Sequence, residues 1–168
     1  LCRAVIVNKI DHDGADCARV LQQLRDEFGP EVLPVNLPAD GGRKVVDCFS
    51  GGNGGNTDES SDLGPVADWH QKILDQVVEI NETVMDHYLD LGEGGLSGAE
   101  LHDAFEQCLR EGHLVPVCFV SARSGAGVKE LLDVAERLFP HPGEANPPPF
   151  VKGSGTDAKP LDATPDPK

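Results

Sequence analysis

The sequence is poor in basic residues and lacks the apolar segments that mark secreted or membrane-spanning chains. Its 14 Lys and Arg face 29 Asp and Glu, which gives a formal net charge of -15. Because attraction to phosphate needs clustered basic side chains, this balance argues against sequence-specific nucleic-acid binding and against anionic membranes. No apolar run approaches the roughly 18 residues that a membrane helix needs, and no signal-peptide pattern occurs.

Cysteine and histidine also lack the spacings that would predict disulfides or a metal site. The five cysteines are odd in number, and no two of them form a C-x-x-C pair. Most of them lie in apolar segments, as reduced core thiols do. The six histidines show no H-E-x-x-H spacing. We therefore expect no metal ion and a cytoplasmic, reducing compartment.

A third absence concerns nucleotide phosphates. No G-x-x-x-x-G-K-[ST] sequence occurs, so there is no Lys to cradle the phosphates and no Ser or Thr to hold Mg²⁺. The glycine-rich stretches 51–55 and 124–129 lack this ending and predict turns. We expect no hydrolysis of a nucleoside triphosphate by this chain alone, and we assign no catalytic residue.

What is present is an alternation of apolar strands and amphipathic helices. Continuous apolar runs at 4–7 and 115–120 predict buried parallel strands. Shorter strand candidates at 32–36 and 44–49 favour an antiparallel pair, joined by the turn 39–42. Periodic apolar residues predict helices over 15–28, 65–89 and 128–139. A further helix is predicted to begin at Ser97, which can form a capping box with Glu100. The polar stretch 50–62 should be mobile.

These elements predict an α/β fold in which a parallel sheet carries an inserted α+β subdomain. We expect the sheet and its helices to comprise residues 1–30 and 113–140, and the insert to comprise residues 31–112. Residues 141–168 are rich in Pro and Gly and predict a linker toward a second domain. The first residue is Leu1, not Met, so we expect a piece of a longer polypeptide.

The first candidate site follows the strand at 4–7, where N-K-x-D places Asn8, Lys9 and Asp11. Ligands of open α/β sheets bind at such carboxyl ends. The Asp11 carboxylate can accept two hydrogen bonds from the N1 and N2 donors of guanine, a pair that adenine does not supply. Lys9 can lay its aliphatic stem along the ring, and Asn8 can tie neighbouring loops together. The alternative is an ordinary strand-to-loop turn.

A second strand-end loop supports the first. The strand at 117–120 ends in Ser121 and Ala122, and Gly125 and Gly127 then lead into a helix. The small side chain of Ala122 would let its backbone N–H approach and donate to the guanine O6. Two such loops in this order weaken the ordinary-turn interpretation. The predicted guanine site is therefore Asn8, Lys9, Asp11, Ser121 and Ala122.

An acidic series lies in the long helix predicted over 65–89 and its continuation. Its members step by three or four residues and are Asp75, Glu79, Glu82, Asp86 and Asp90. On one helix they would form a stripe opposite the apolar residues. The stripe could be a docking face or simply a solvated helix surface.

The sequence resembles elongation factor G over about residues 3 to 150. The resemblance rests on the segments 7–11, 14–16, 29–35, 37–38, 45–47 and 69–71. The resemblance implies that the chain is the second half of a ribosome-associated GTPase domain and carries an insert subdomain. It also implies GTP or GDP as the ligand, and Mg²⁺ only in the complete parent protein. It also implies that Asp75, Glu79 and Glu82 occupy the acidic positions that contact the basic C-terminal domain of the ribosomal stalk protein. The expected role is GTP-dependent translation elongation, by translocation.

One loop departs from that family. Residues 121–125 read S-A-R-S-G, whereas elongation factor G more often has S-A-x-K, and the sequence here resembles other bacterial GTPases. The alternative is therefore an interaction module of a divergent paralogue, active in ribosome recycling or protection, with little nucleotide binding of its own. In either case we expect the isolated chain to bind GDP weakly, and its open strand edge to permit self-association.

Overall fold

The computed structural model describes residues 3–49, 60–80, 82–92, 96–139, 151–152 and 159–160. The elements, in chain order, are β1 (Val5–Val7), α1 (Cys17–Phe28), β2 (Val32–Pro34), β3 (Asn36–Ala39), β4 (Lys44–Asp47), β5 (Ser60–Ser61), β6 (Gly64–Pro65), α2 (Val66–Val78), α3 (Glu82–Leu91), α4 (Gly98–Glu111), β7 (Val115–Phe119), α5 (Val128–Leu138), β8 (Val151–Lys152) and β9 (Lys159–Pro160). None of the helices within these residues is long and apolar enough to cross a membrane.

A three-stranded parallel sheet with the order β1-β7-β2 forms the centre of the fold. The middle strand β7 is buried along its whole length. Alternate residues of β7 face two different layers: Phe119 packs with Leu21 of α1, whereas Cys118 packs with the cluster that holds α2, α4 and α5. Helices thus cover both faces of the sheet, which confirms the predicted α/β class.

The strand predicted over 32–36 is divided between two strands, and only the second of them belongs to the predicted antiparallel pair. Residues Val32–Pro34 form β2 and pair in parallel with β7, as the third strand of the central sheet. The chain then turns at Val35, and β3 pairs antiparallel with β4 as predicted for this hairpin. All three residues of β2 are buried, and a continuous apolar run of this kind is typical of a strand covered on both faces.

The helix predicted over 65–89 is also two elements. Helix α2 ends at Val78, and α3 begins at Glu82. The β-branched pair at Val77 and Val78 lowers the local helix propensity. Both α2 and α3 pack against α4.

The other helices begin and end close to the predicted positions. Asp16 accepts the Arg19 N–H at 2.9 Å and starts α1, which ends at Gly29 with a φ of 104°. Ser97 and Glu100 form the expected capping box at the start of α4.

Two expectations fall mainly on residues that the structure does not describe. Of the stretch expected to be mobile, residues 50–59 lie outside the described part, and Ser60–Ser61 pair with β6 in a short antiparallel ladder. Asp62 donates its N–H to the Pro38 oxygen at 2.8 Å, so the end of this stretch is held in place. Of the expected linker 141–168, only the antiparallel pair β8 and β9 is described.

Candidate functional site

The two strand-end loops predicted to read guanine lie side by side, because β1 and β7 are parallel neighbours. Val7 pairs with Phe119 in register, so both chains leave the sheet at the same edge. The Val120 N–H donates to the Val7 oxygen at 2.9 Å, and the Ile10 N–H donates to the Val120 oxygen at 3.3 Å. These two bonds extend the contact between the loops beyond the strands.

Asn8 joins the loops through its side chain. Its Oδ1 accepts the Ala122 N–H at 3.0 Å and the Lys9 N–H at 2.8 Å. Lys9 itself has a φ of 66°, in the left-handed region that is rare for a residue with a side chain. Such a conformation costs on the order of 1–3 kcal/mol, and the hydrogen bonds on either side of Lys9 hold it in place. Its side chain is exposed.

Asp11 supplies the acidic group of the site. Its side chain is 14% exposed, and Oδ2 lies 3.5 Å from Nε of the exposed Arg123. A hydrogen bond from the Ser121 hydroxyl holds the pKa of Asp11 below its ordinary value of 3.8, and Arg123 acts in the same direction. The carboxylate is therefore ionised at neutral pH, which makes it an acceptor for the N1 and N2 donors of guanine.

Ser121 connects the acid to the second loop. It is fully buried, and its Oγ accepts the Ser124 N–H at 3.2 Å. The sequence predicted Ser121 as part of the site without giving it a role. In the structure its hydroxyl is the main cause of the lowered pKa of Asp11. Sequence reasoning also missed Arg123, whose position directly after S-A was the available signal.

The Ala122 N–H, which the sequence assigns to the guanine O6, donates to Asn8 in this structure. A purine oxygen could accept this hydrogen only if the Asn8 amide turned away. The exposed position of Asn8 leaves room for such a rotation. The donor and the ionised acceptor thus lie on adjacent loops, and the residues present fit a guanine base.

Glycine is required where the second loop returns to the sheet. Gly127 has a φ of 75°, and a Cβ there would overlap the Phe119 oxygen. The loop is closed by hydrogen bonds from the Ser121 N–H to the Ala126 oxygen and from the Gly125 N–H to the Ser121 oxygen, both at 2.8 Å. The backbone at Ala122 is therefore held by a short, rigid turn.

A cleft of about 590 Å³ opens next to this site but does not coincide with it. Its lining begins at Ile10 and Asp11 and continues along 12–18 to the β3–β4 turn at 40–43 and to 62–63. Asn8, Lys9, Ser121 and Ala122 do not line it. We place the candidate base site by the hydrogen-bond donor and acceptor groups on the two loops, because these groups would contact a base. Asp11 is the one residue of that site that also lines the cleft.

The predicted acidic stripe does not lie on a single helix. Asp75 belongs to α2, Glu79 is the C-cap residue that follows α2, and Glu82 is the first residue of α3. Asp75 and Glu79 are exposed. Gln71 donates to Asp75 at 2.6 Å and to the Tyr88 hydroxyl at 2.7 Å, which ties α2 to α3 beside the acidic residues.

Among the residues that the structure describes, no group of three or more His, Cys, Asp or Glu side chains could hold a metal ion.

The fold is that of a GTPase domain, in which a parallel sheet has neighbouring strands that end in N-K-x-D and S-A. The sequence model of the "Elongation factor Tu GTP binding domain" matches residues 1–141. The chain belongs to this family.

Two similar relatives are an "Elongation factor G-like protein" from each of two Mycobacterium tuberculosis strains, CDC 1551 / Oshkosh and ATCC 25618 / H37Rv. Each is 31% identical over 150 residues, which cover 84% of this chain and 21% of the relative. A crystal structure of a Thermus thermophilus protein has a TM-score of 0.69 at 33% identity and covers 90% of this chain and 24% of that protein. The chain thus spans about a fifth of the curated relatives that it matches.

Proposed function

We propose that this chain supplies guanine-base recognition to a ribosome-associated GTPase that acts in translation elongation, by translocation. The observation that carries the proposal is the parallel pairing of β1 with β7, which brings the N-K-x-D and S-A loops to the same edge of the sheet. The Ala122 N–H donates to Asn8 Oδ1 at 3.0 Å. This hydrogen bond joins the two loops beside Asp11, whose pKa is held low. Family membership supports the class of ligand, because the family is described as GTP-binding.

The residue roles follow from this arrangement. Asp11 accepts from the base, the Ala122 N–H donates to it once Asn8 turns, and Lys9 covers the ring with its stem. Ser121 favours the ionised form of Asp11 by lowering its pKa. The sequence has no phosphate-binding loop, so the contacts to phosphates and Mg²⁺ fall to other parts of the parent protein. The chain alone should bind GDP with a Kd on the order of millimolar or weaker.

The experiment is a titration of the ¹⁵N-labelled chain with GDP and with ADP, followed by NMR. GDP should shift the amides of Lys9, Asp11 and Ala122, and ADP should not. Asp11→Asn should remove the preference for GDP and favour xanthosine diphosphate, whose C2 carbonyl accepts where guanine donates. Asp13→Asn, two residues away, is the matched control and should behave as the wild type. Equal amide shifts with ADP would contradict the proposed guanine site. A micromolar Kd for GDP would contradict the proposed weak binding.

We also propose that Asp75, Glu79 and Glu82 dock the basic C-terminal domain of the ribosomal stalk protein. Asp75 and Glu79 are exposed, and Glu79 and Glu82 flank the junction between α2 and α3. The junction replaces the straight stripe expected from the sequence and brings the end of one helix beside the start of the next. An acidic surface of this kind attracts a basic partner, and the attraction weakens as salt screens it.

The test compares two double variants in binding to the isolated stalk domain at low and high salt. Glu79→Lys with Glu82→Lys should weaken binding at low salt by about tenfold or more, because the two new lysines would repel the basic stalk domain. Glu130→Lys with Glu136→Lys on α5 makes the same charge change elsewhere and should have little effect. Unchanged binding of the first variant at low salt would refute the docking surface.

A second candidate function is an interaction module of a divergent paralogue in ribosome recycling or protection. The observation that favours it is that Asn8 already occupies the Ala122 N–H, so the base-reading donor is engaged within the protein. Selection of GTP over ATP by the parent protein separates the two candidates, since a module with vestigial loops would not discriminate between them.

Three further expectations remain proposals. The division into residues 1–30 with 113–140 and the insert 31–112 is one, and the structure adds that β2, within 31–112, pairs with β7. A cytoplasmic location is another, supported by the four described cysteines, all of which are free. The third is self-association of two copies through the open edge of β1, whose Ile6 is 54% exposed.

A further inference from the structure

The β3–β4 hairpin lies directly behind the first guanine-reading loop. Gly42, in its turn, has a φ of 76°. A Cβ on Gly42 would overlap the Ile10 carbonyl oxygen and would lie 3.2 Å from the Asp11 backbone nitrogen. The peptide between Ile10 and Asp11 belongs to the N-K-x-D loop itself. The turn therefore packs backbone against backbone on the segment that carries the acidic group.

The same hairpin contacts the second loop from its two strands. In β3, the buried Asn36 accepts the Phe119 N–H on Oδ1 at 2.7 Å and donates from Nδ2 to the Phe119 oxygen at 3.0 Å. Phe119 is the last residue of β7 before the S-A loop. In β4, Val45 Cγ1 lies 3.1 Å from the position that a Cβ on Gly127 would take. One hairpin is thus in contact with both ends of the guanine site.

Asp62 fixes the turn of this hairpin. Its Oδ2 accepts the Gly42 N–H at 3.2 Å, and its own N–H donates to the Pro38 oxygen at 2.8 Å. The Asp62 carboxylate is thereby tied to the turn, and its backbone is tied to β3. The ion pair between Arg43 and Asp40, at 3.8 Å and largely exposed, adds little.

We propose that the β3–β4 hairpin is a positioning element for the guanine site, with Gly42, Asn36 and Asp62 as its positioning residues. The inference rests on the proposed guanine recognition. None of the three need touch the base. They act by holding the Ile10–Asp11 peptide and the end of β7 at a fixed separation, so that the Asp11 carboxylate and the Ala122 N–H face one purine. A small displacement of either loop would weaken both contacts at once.

The experiment compares Gly42→Ala with Gly41→Ala in the full 168-residue chain. Both glycines have positive φ, at 76° and 63°, so each Ala pays a similar conformational cost. A Cβ on Gly41 meets nothing within 4 Å, whereas one on Gly42 meets the Ile10 backbone. The matched pair therefore isolates the contact from the strain of the turn.

Two readouts are needed, one with nucleotide and one without. Gly42→Ala should weaken GDP binding by about fivefold or more and reduce the preference for GDP over inosine diphosphate, which lacks the 2-amino group that Asp11 reads. In the absence of nucleotide it should shift the amides of Lys9 and Ala122. Gly41→Ala should leave the preference and both amides as in the wild type. Thermal unfolding of the two variants shows whether each is folded.

A second pair of variants, at Asp62, tests the same role if Gly42→Ala does not fold. Asp62→Ala removes the acceptor of the Gly42 N–H and should reduce the GDP preference and shift the same amides, whereas Asp62→Asn retains an acceptor oxygen and should restore both. If folded Gly42→Ala and Asp62→Ala leave the Lys9 and Ala122 amides and the GDP preference unchanged, the positioning role is overturned. If the wild type does not prefer GDP to ADP, guanine recognition fails instead, while the nucleotide-free amide shifts still decide whether the hairpin positions the loops.

Discussion

At the scale of single residues, the site depends on a serine and an aspartate from different loops. Asp11 follows β1, and Ser121 follows β7. The hydroxyl of Ser121 is the main cause of the lowered pKa of Asp11, ahead of the largely exposed Arg123. A residue of the second loop therefore lowers the pKa of the acidic group on the first.

Replacement of this serine should raise the pKa of Asp11. In the wild type the carboxyl should titrate below 3.8, so the stabilisation from its ionised form is present above that pH and is lost as the pH falls through the lowered pKa. In Ser121→Ala this stabilisation should be smaller, and its loss should be complete at a higher pH, because the hydrogen bond that favours the charged form is gone. A ¹³C NMR titration of the Asp11 carboxyl measures the shift directly.

Arg123→Ala is the comparison for that titration. Its effect on the pKa of Asp11 should be smaller than that of Ser121→Ala, since Arg123 is 91% exposed and its charge is screened. A larger effect from Arg123→Ala would mean that the ion pair, and not the hydrogen bond, controls the acid.

At the scale of elements, the capping box of α4 should make a measurable contribution to the free energy of unfolding. The Ser97 Oγ accepts the Glu100 N–H at 3.2 Å, and the Glu100 carboxylate accepts the Ser97 N–H at 2.9 Å. Ser97→Ala should lower the free energy of unfolding by about 1 kcal/mol, as loss of a cap does elsewhere. Urea unfolding measures the change.

Lys129→Ala provides a baseline for this measurement. Lys129 is 84% exposed and pairs with Asp133 on the same helix face at 3.6 Å, so its loss should cost below about 0.5 kcal/mol. If the two variants were equally stable, the capping box would contribute nothing beyond an ordinary surface interaction. Hydrogen bonds from Ser97 also hold the pKa of Glu100 below its ordinary value, so that pKa should rise in Ser97→Ala.

The features that were predictable from the sequence are those with local causes. The capping box at Ser97, the end of α1 at Gly29 and the strand β7 each depend on residue types within a few positions. The division of 32–39 into β2 and β3 was not predictable in this way, because the partner of β2 is β7, which lies some eighty residues further along the chain. Apolar runs show that a strand is buried and do not show which strand it joins.

The same reasoning applies to the site. The residue types of N-K-x-D and S-A predicted the two loops, and the parallel pairing of β1 with β7 places them together. The bond between Asn8 and Ala122 and the contact of Gly42 with Ile10 depend on atomic positions across 114 and 32 residues of chain, so no local pattern reports them. The break between α2 and α3 had only weak local signals, since propensity differences there are small beside the packing of both helices on α4.

At the scale of the whole molecule, β1 and β2 are the two edge strands of the described sheet, and β1 is less buried than β2. β1 pairs with β7 on one side, and no other described strand lies on its other side. The sequence predicted a buried strand here, and this was wrong for Ile6, which is 54% exposed because the strand is at the edge. An edge with an exposed apolar residue favours pairing with another strand.

We expect two copies of the chain to associate weakly through this edge at high concentration. Sedimentation equilibrium should show an average mass that rises above 17.9 kDa as concentration increases. Ile6→Lys should prevent the rise, because a charged residue on an edge strand opposes edge-to-edge pairing. Leu132→Lys on α5 makes the same change at a position that is 62% exposed and should associate as the wild type does.

Salt separates this association from docking to the stalk protein, because the two depend on charge in opposite ways. Each copy carries a formal net charge of -15, so two copies repel each other, and added salt should strengthen their pairing by screening that repulsion. Added salt should weaken the attraction of the acidic residues near the α2–α3 junction for a basic partner. If salt weakened self-association, or if Leu132→Lys prevented it as effectively as Ile6→Lys, the contact between copies would not be the edge of β1.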